Sequence, residues 1–155
     1  MKYLLTFFLL LTGAVFCTAQ NTLPAELHFN RLSVKDGLPE GFVNSMIQDR
    51  EGFIWMTTQR GLVRYDGYQP KVYTLGITNP YSMGVTSVYQ DRKGRIWAGT
   101  YDGGLYLYDQ DKDRFSHYPL GLTGSEATSA GGITEIHDDS HGRLWLSVQD
   151  QDNQK

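Results

Sequence analysis

The string DREGFIWMTTQRGLVRYD, Asp49 to Asp66, returns as DRKGRIWAGTYDGGLYLYD, Asp91 to Asp109. Asp49, Gly52 and Trp55 recur as Asp91, Gly94 and Trp97, each 42 positions on, and Leu62 and Tyr65 recur as Leu105 and Tyr108 after one inserted glycine. A third copy, DSHGRLWLSVQD, places Asp139, Gly142 and Trp145 in the same register at an offset of 48. A repeat of this period constrains the fold more than any single motif. Each copy must be one supersecondary unit that buries its apolar face against its neighbours.

Within the copies, VNSMIQD (43–49), VTSVYQD (85–91) and ITEIHDD (133–139) align without gaps, and all alternate apolar with polar residues at the period of a strand. DREG, DRKG and DSHG follow, with Asp first and Gly last, which suits a tight turn: Asp bonds back to the chain and Gly accepts positive φ. The tryptophan lies on a second strand, LVRYD or LYLYD forms a third, and KVYTL or RFSHYPL a fourth. Four short strands per repeat and no helical period predict an all-β fold of β-propeller blades, each of four antiparallel strands. Two blades are complete, over 43–75 and 85–118, and one is partial, over 133–148. Trp55, Trp97 and Trp145 are then packing residues between blades, each able to bury about 200 Å². LHFNRLSV, 27–34, stands where fourth strands stand relative to the next repeat and is expected to be an opening strand that completes a final blade.

The ends set the compartment. Met1 and Lys2 precede a nearly unbroken apolar run to Phe16, and small residues precede Gln20, so 1–19 reads as a signal peptide cut after Ala19. The apolar run is shorter than the roughly 20 residues a membrane span needs. Bulky Phe16 argues against lipidation at Cys17, the single cysteine. Cleavage leaves 20–155 without a thiol, so disulfides and thiolate metal sites are excluded and packing must supply the stability. Removal of Lys2 takes the formal charge from −3 to about −4. No basic stripe marks a nucleic-acid surface. Two blades and half of a third leave sheet edges unpaired, and the polar tail QDQDNQK offers no further strand, so the chain reads as the amino-terminal piece of a longer protein.

Other motifs fail on their chemistry. DQDKDRF, Asp109 to Phe115, begins like a calcium loop, but Arg114 stands where the bend needs glycine and Leu120 where the last ligand should be glutamate. It reads as a solvated turn. His137 and His141 are four apart, yet a strand and a turn intervene and the helical metal-ligand geometry is lost. His28 and His117 stand singly on strands. No nucleophile elbow, phosphate loop or dinucleotide fingerprint occurs, and no cofactor is implied.

The pattern D-x-x-G-x-I-W followed by T-x-x-G-L-x-x-Y-D, with DGL at Asp36 to Leu38, resembles the two-component regulator propeller repeat of periplasmic hybrid sensor kinases. The resemblance runs from about Leu27 to Val148, with Met56 and Thr57 replacing Ala98 and Gly99 of the second copy and the third copy lacking its GL…YD strand. It implies a periplasmic ligand-sensing module, with an oligosaccharide as ligand. It further implies additional blades, carboxy-terminal signalling domains with a histidine kinase, an inner-membrane anchor and a dimeric full-length protein. This segment itself is not an enzyme on that reading. A lyase-type propeller enzyme and a structural interaction propeller are the alternatives. Sialidase repeats fit less well, because their glycine follows the aspartate by two residues and here it follows by three. Binding surfaces concentrate on loops carried by a rigid scaffold. Gln59, Arg60, Tyr101 and Asp102, in the turns between second and third strands, are therefore the candidate ligand contacts, on the rim opposite the Asp-x-x-Gly turns.

Overall fold

The alternating segments of each repeat become strands because their turns are chemically specified. A computed structural model of the chain describes residues 29–75, 84–121 and 131–149; the expected signal peptide lies outside them. The first repeat forms β1 (Ser45–Gln48), β2 (Ile54–Thr58), β3 (Gly61–Tyr65) and β4 (Pro70–Tyr73). The second forms β5 (Val85–Gln90), β6 (Ile96–Thr100), β7 (Leu105–Asp109) and β8 (Arg114–Tyr118), and the third β9 (Ile133–Asp138) and β10 (Leu144–Val148). Both four-stranded sheets are antiparallel meanders in chain order, and β9 pairs with β10. The chain thus holds two complete blades and a two-stranded part of a third, all within the unit Leu32–Lys155.

The repeated aspartate does more than start a turn. Asp49, Asp91 and Asp139 each accept a hydrogen bond from the indole N–H of the tryptophan six residues on, at 2.6, 3.0 and 3.1 Å. Their other oxygen takes the backbone N–H four residues on, from Phe53, Arg95 and Arg143, at 2.8, 2.9 and 3.0 Å. One carboxylate therefore closes the β1–β2 type of hairpin and fixes the rotamer of the ring that fills the core. Gly52, Gly94 and Gly142 all have positive φ, between 76° and 93°, as the turn requires. Thr58 and Thr100, both fully buried, play the matching part at the other end of the second strand, the Thr58 hydroxyl donating to the Gly61 carbonyl and the Thr100 hydroxyl oxygen accepting the Gly104 N–H at 2.9 Å.

Alternation then assigns two faces to each blade. Trp55 and Leu62 of the first blade share a core with Val85, Val88, Ile96 and Ala98 of the second. Trp97 and Leu105 of the second share one with Ile133 and Ile136 of the third. Stacking in this manner covers the first two tryptophans, at 1% and 2% exposure, whereas Trp145 is 59% exposed. No described blade packs on it, and the Arg143 guanidinium lies over its ring at 5.6 Å from the centroid. The opposite face of the first blade, with Met56 and Val63, is covered by Leu32 and Leu38.

The segment carrying those leucines differs from expectation. Residues 29–33 belong to no strand and Val34–Asp36 is a 3-10 turn, so the described part of 27–34 does not form the opening strand. A strand needs a ladder partner, and the described sheets offer it none. Instead the Asp36 carboxylate accepts both the N–H and the hydroxyl of Ser33, at 2.8 and 2.7 Å, which curls the chain. It can then lay Leu38 onto the blade.

Candidate functional site

Successive Asp-x-x-Gly turns are joined on one rim. The Arg50 N–H donates to Gln90 Oε1 at 3.0 Å, and the Arg92 N–H to Asp138 Oδ2 at 3.0 Å. Arg50 also reaches the Arg92 carbonyl at 3.0 Å. These groups are consumed in holding blades together, so this rim is poor ground for a ligand.

The other rim carries the β2–β3 and β6–β7 turns with Gln59, Arg60, Tyr101 and Asp102. Gly84, at the start of the second blade, lies directly against the Gln59 backbone and accepts the Tyr101 N–H at 3.0 Å. Gln59 and Tyr101 are therefore neighbours through one residue, and the four candidates share a continuous edge. Gln59, Arg60 and Asp102 are exposed and Tyr101 is half-buried. The Gln59 N–H is taken by the Glu40 carboxylate and the Arg60 N–H by Thr58 Oγ1 at 3.2 Å, so both backbones are fixed. Asp102 differs, since its carboxylate accepts from the Thr100 hydroxyl and also raises the neighbouring Tyr106 phenol, whose first cause of elevation is burial. An amide, a guanidinium and a phenol thus project from a held scaffold. These groups can donate and accept hydrogen bonds toward a polar solute. Glu40 was not evident in the sequence, because no local pattern relates it to Gln59.

A second cluster on the outer edge of the seam was also missed. Asp113, read from the sequence as part of a solvated turn, accepts from the Tyr73 and Tyr108 hydroxyls at 2.6 Å each and pairs with Lys71. Arg64 Nη1 donates to Tyr108 at 2.7 Å, with its guanidinium 4.8 Å from the Phe53 ring centroid. Three residues of the first blade are thereby clamped to two of the second. The Lys71, Tyr108 and Tyr73 bonds hold the Asp113 carboxyl far below the usual range. Burial first, and then Asp113, push the Tyr73 phenol up. Replacing Asp113 with alanine should cost about 1–2 kcal/mol, toward the low end for charged hydrogen bonds because the carboxylate is partly in water. Thermal melting of the variant checks this. Next to the clamp lies an open groove of about 440 Å³ lined by Tyr73, Thr74, Leu75, Tyr106, Arg114 and Phe115. None of the four rim candidates lines it.

Acid should loosen these carboxylate bonds. Burial alone would raise Asp91, but the Trp97 indole, the Arg95 amide and the Arg95 guanidinium outweigh it and hold its carboxyl low. The same balance at Asp139 brings it down to about 2. With folded pKa values depressed, the stabilisation is fully present above the unfolded value of about 4 and is lost as pH falls through the folded values. Urea midpoints should be level from about pH 8 to 5 and drop below about pH 4.

Comparison with known proteins agrees with this architecture. The family pattern described as "Two component regulator propeller" matches residues 37–60 and 82–102. The extracellular domain of the hybrid two-component system BT3049 from B. thetaiotaomicron superposes with a TM-score of 0.62 at 25% identity, over 79% of this chain and 19% of that one. The extracellular domain of BT4673 from the same organism, described as a one-component system, gives 0.51 at 25% identity, over 68% of this chain and 15% of that one. "Histidine kinase P4" of Formosa agariphila is 32% identical over 81 residues, 47% of this chain and 6% of the kinase. The chain therefore carries two-component regulator propeller repeats, folded as the blades of a β-propeller like those in extracellular domains of two-component systems. It spans less than a fifth of each of these relatives.

Proposed function

We propose that these blades belong to a ligand-sensing propeller of a hybrid two-component sensor kinase, exported to the periplasm by the leader 1–19, with an oligosaccharide as ligand. The blades would span 43–75, 85–118 and 133–148, and further blades, a membrane anchor and kinase domains would be their partners in a dimeric full-length protein. The module senses and does not catalyse. Gln59, Arg60, Tyr101 and Asp102 are the proposed contacts. One observation carries the reading: these residues share an edge stitched together by Gly84, so a ligand bridging Arg60 and Tyr101 would bear on the seam between two blades.

Calorimetric titration with a panel of neutral and acidic oligosaccharides tests it. Arg60→Ala and Tyr101→Ala should weaken binding about tenfold or more, while Glu51→Ala and Lys93→Ala on the opposite rim should not. Unchanged affinity in the first pair with loss in the second would reverse the faces.

A further inference from the structure

The groove beside the Asp113 clamp has no part in the sensing role proposed for the rim. Its walls are the outer parts of two complete blades: Tyr73, Thr74 and Leu75 at and just after the end of β4, Tyr106 on β7, and Arg114 and Phe115 on β8. Both blades have all four strands and pack on one another through the core that holds Trp55 and Val88. The groove therefore lies on the outside of a closed seam, a position that stacking of further blades leaves open. At about 440 Å³ it falls inside the roughly 300–1,000 Å³ range of small-molecule sites.

Chemistry divides the groove in two. Tyr73 and Leu75 are buried and Phe115 is half-buried, which gives an apolar, largely aromatic floor. Leu75 reaches that floor with φ of +51°, a left-handed conformation that bulky L-residues rarely adopt. The polar side is uncommitted. Arg114 is exposed and makes no hydrogen bond or ion pair among the described residues, whereas its acidic neighbours are taken, Asp109 by Lys112 at 2.6 Å and Asp113 by Lys71 and Arg64. The Tyr106 and Thr74 hydroxyls likewise have no partner among the described residues.

We propose that this groove is a binding site separate from the rim and takes a small amphiphilic monocarboxylate, its aromatic or alkyl body lying on Tyr73, Leu75 and Phe115 and its carboxylate pairing with Arg114. The opposite orientation is disfavoured, because the Asp102 charge acts on Tyr106 from the rim side. Since the walls come from two blades, an occupant bridges the first seam and stabilises it.

Saturation-transfer NMR and calorimetry on the full chain with phenylacetate test this. Phenethyl alcohol lacks the charge, phenethylamine reverses it, and acetate lacks the apolar body. Phenylacetate should bind with a dissociation constant of about 1 mM or tighter and raise the melting temperature, and the other three should each bind at least about tenfold more weakly. Arg114→Gln should cost phenylacetate about tenfold, and Arg60→Ala on the rim should leave its affinity unchanged. Absence of phenylacetate binding to the unmodified chain, equal binding of phenethylamine, full affinity in Arg114→Gln, or loss in Arg60→Ala would each overturn the inference.

Discussion

Asp91→Ala should be among the most damaging single substitutions in the chain, lowering unfolding free energy by about 3–5 kcal/mol, because it strands several buried or half-buried donors at once. Asp91 is 2% exposed. Its Oδ1 accepts the Lys93 and Arg95 N–H groups at 2.9 Å each, and its Oδ2 accepts Arg95 Nε at 2.6 Å and the Trp97 indole at 3.0 Å. Alanine leaves the indole unpaired inside the seam between the second and third blades and leaves the Arg95 guanidinium without its counter-ion. Asp91→Asn keeps the turn but must point an amide donor at one of these donors, so its loss should be intermediate. Internal ranking sharpens the test. Asp139→Ala should be mildest because Trp145 already reaches water. Asp49→Ala should fall between the two, since Trp55 is equally buried but the Asp49 carboxylate holds only the Phe53 N–H and the indole and no arginine. Urea unfolding followed by tryptophan emission measures all three. Equal losses would mean that the carboxylates matter only as turn formers and that the bond to the ring contributes nothing.

That ranking also marks the boundary of what the sequence discloses. Strand order and blade count were readable because Asp, Gly and Trp recur at fixed spacing and the segments between them alternate with period two. The Asp–Trp bond was hidden in the same motif, since a spacing of six across a turn corresponds to no strand or helix periodicity. Asp113 gave no local sign of its role. Its partners Tyr73 and Lys71 lie 40 and 42 positions earlier, in another blade, and only stacking brings them together. The 27–34 segment was misread for the opposite reason. It stands where fourth strands stand relative to the next repeat, but a ladder is a property of two segments, and the Ser33 and Asp36 pair captured the chain locally. The β2–β3 and β6–β7 turns lie at the opposite end of their hairpins from the Asp-x-x-Gly turns, because hairpin connectivity alone decides which turns share a rim. What lay beyond reach was the contact that makes them one surface, the approach of Gly84 to Gln59.

Gly84→Ala should therefore cost about 3 kcal/mol or more, well above an ordinary glycine substitution in a turn. Two effects add. Gly84 has φ of +70°, where an L-residue pays about 1–2 kcal/mol. A Cβ there would also stand 2.2 Å from the Gln59 oxygen and 2.3 Å from its Cα, and backbone cannot move aside as a side chain can. Gly52→Ala is the control, since φ is +93° but nothing lies within 4 Å of the added carbon, so only the conformational part, about 1–2 kcal/mol, should appear. The first blade shows why the requirement belongs to the seam and not to the repeat. Phe42 holds the position equivalent to Gly84, and its side chain is 64% exposed because no described β2–β3 turn lies against it. There the Gln59 N–H bonds to Glu40, whereas in the second blade the equivalent Tyr101 N–H bonds to the Gly84 carbonyl. Any shift that relieves the clash must move the Gln59–Arg60 turn away from Tyr101. Gly84→Ala should consequently separate the two halves of the proposed ligand edge, and oligosaccharide affinity should fall even at temperatures where the variant is fully folded. Chemical unfolding and calorimetry on the same preparation distinguish the effects. A variant that loses stability yet binds as before would show that the ligand does not bridge the seam, and one that matches Gly52→Ala in stability would show that the close approach is not maintained in solution.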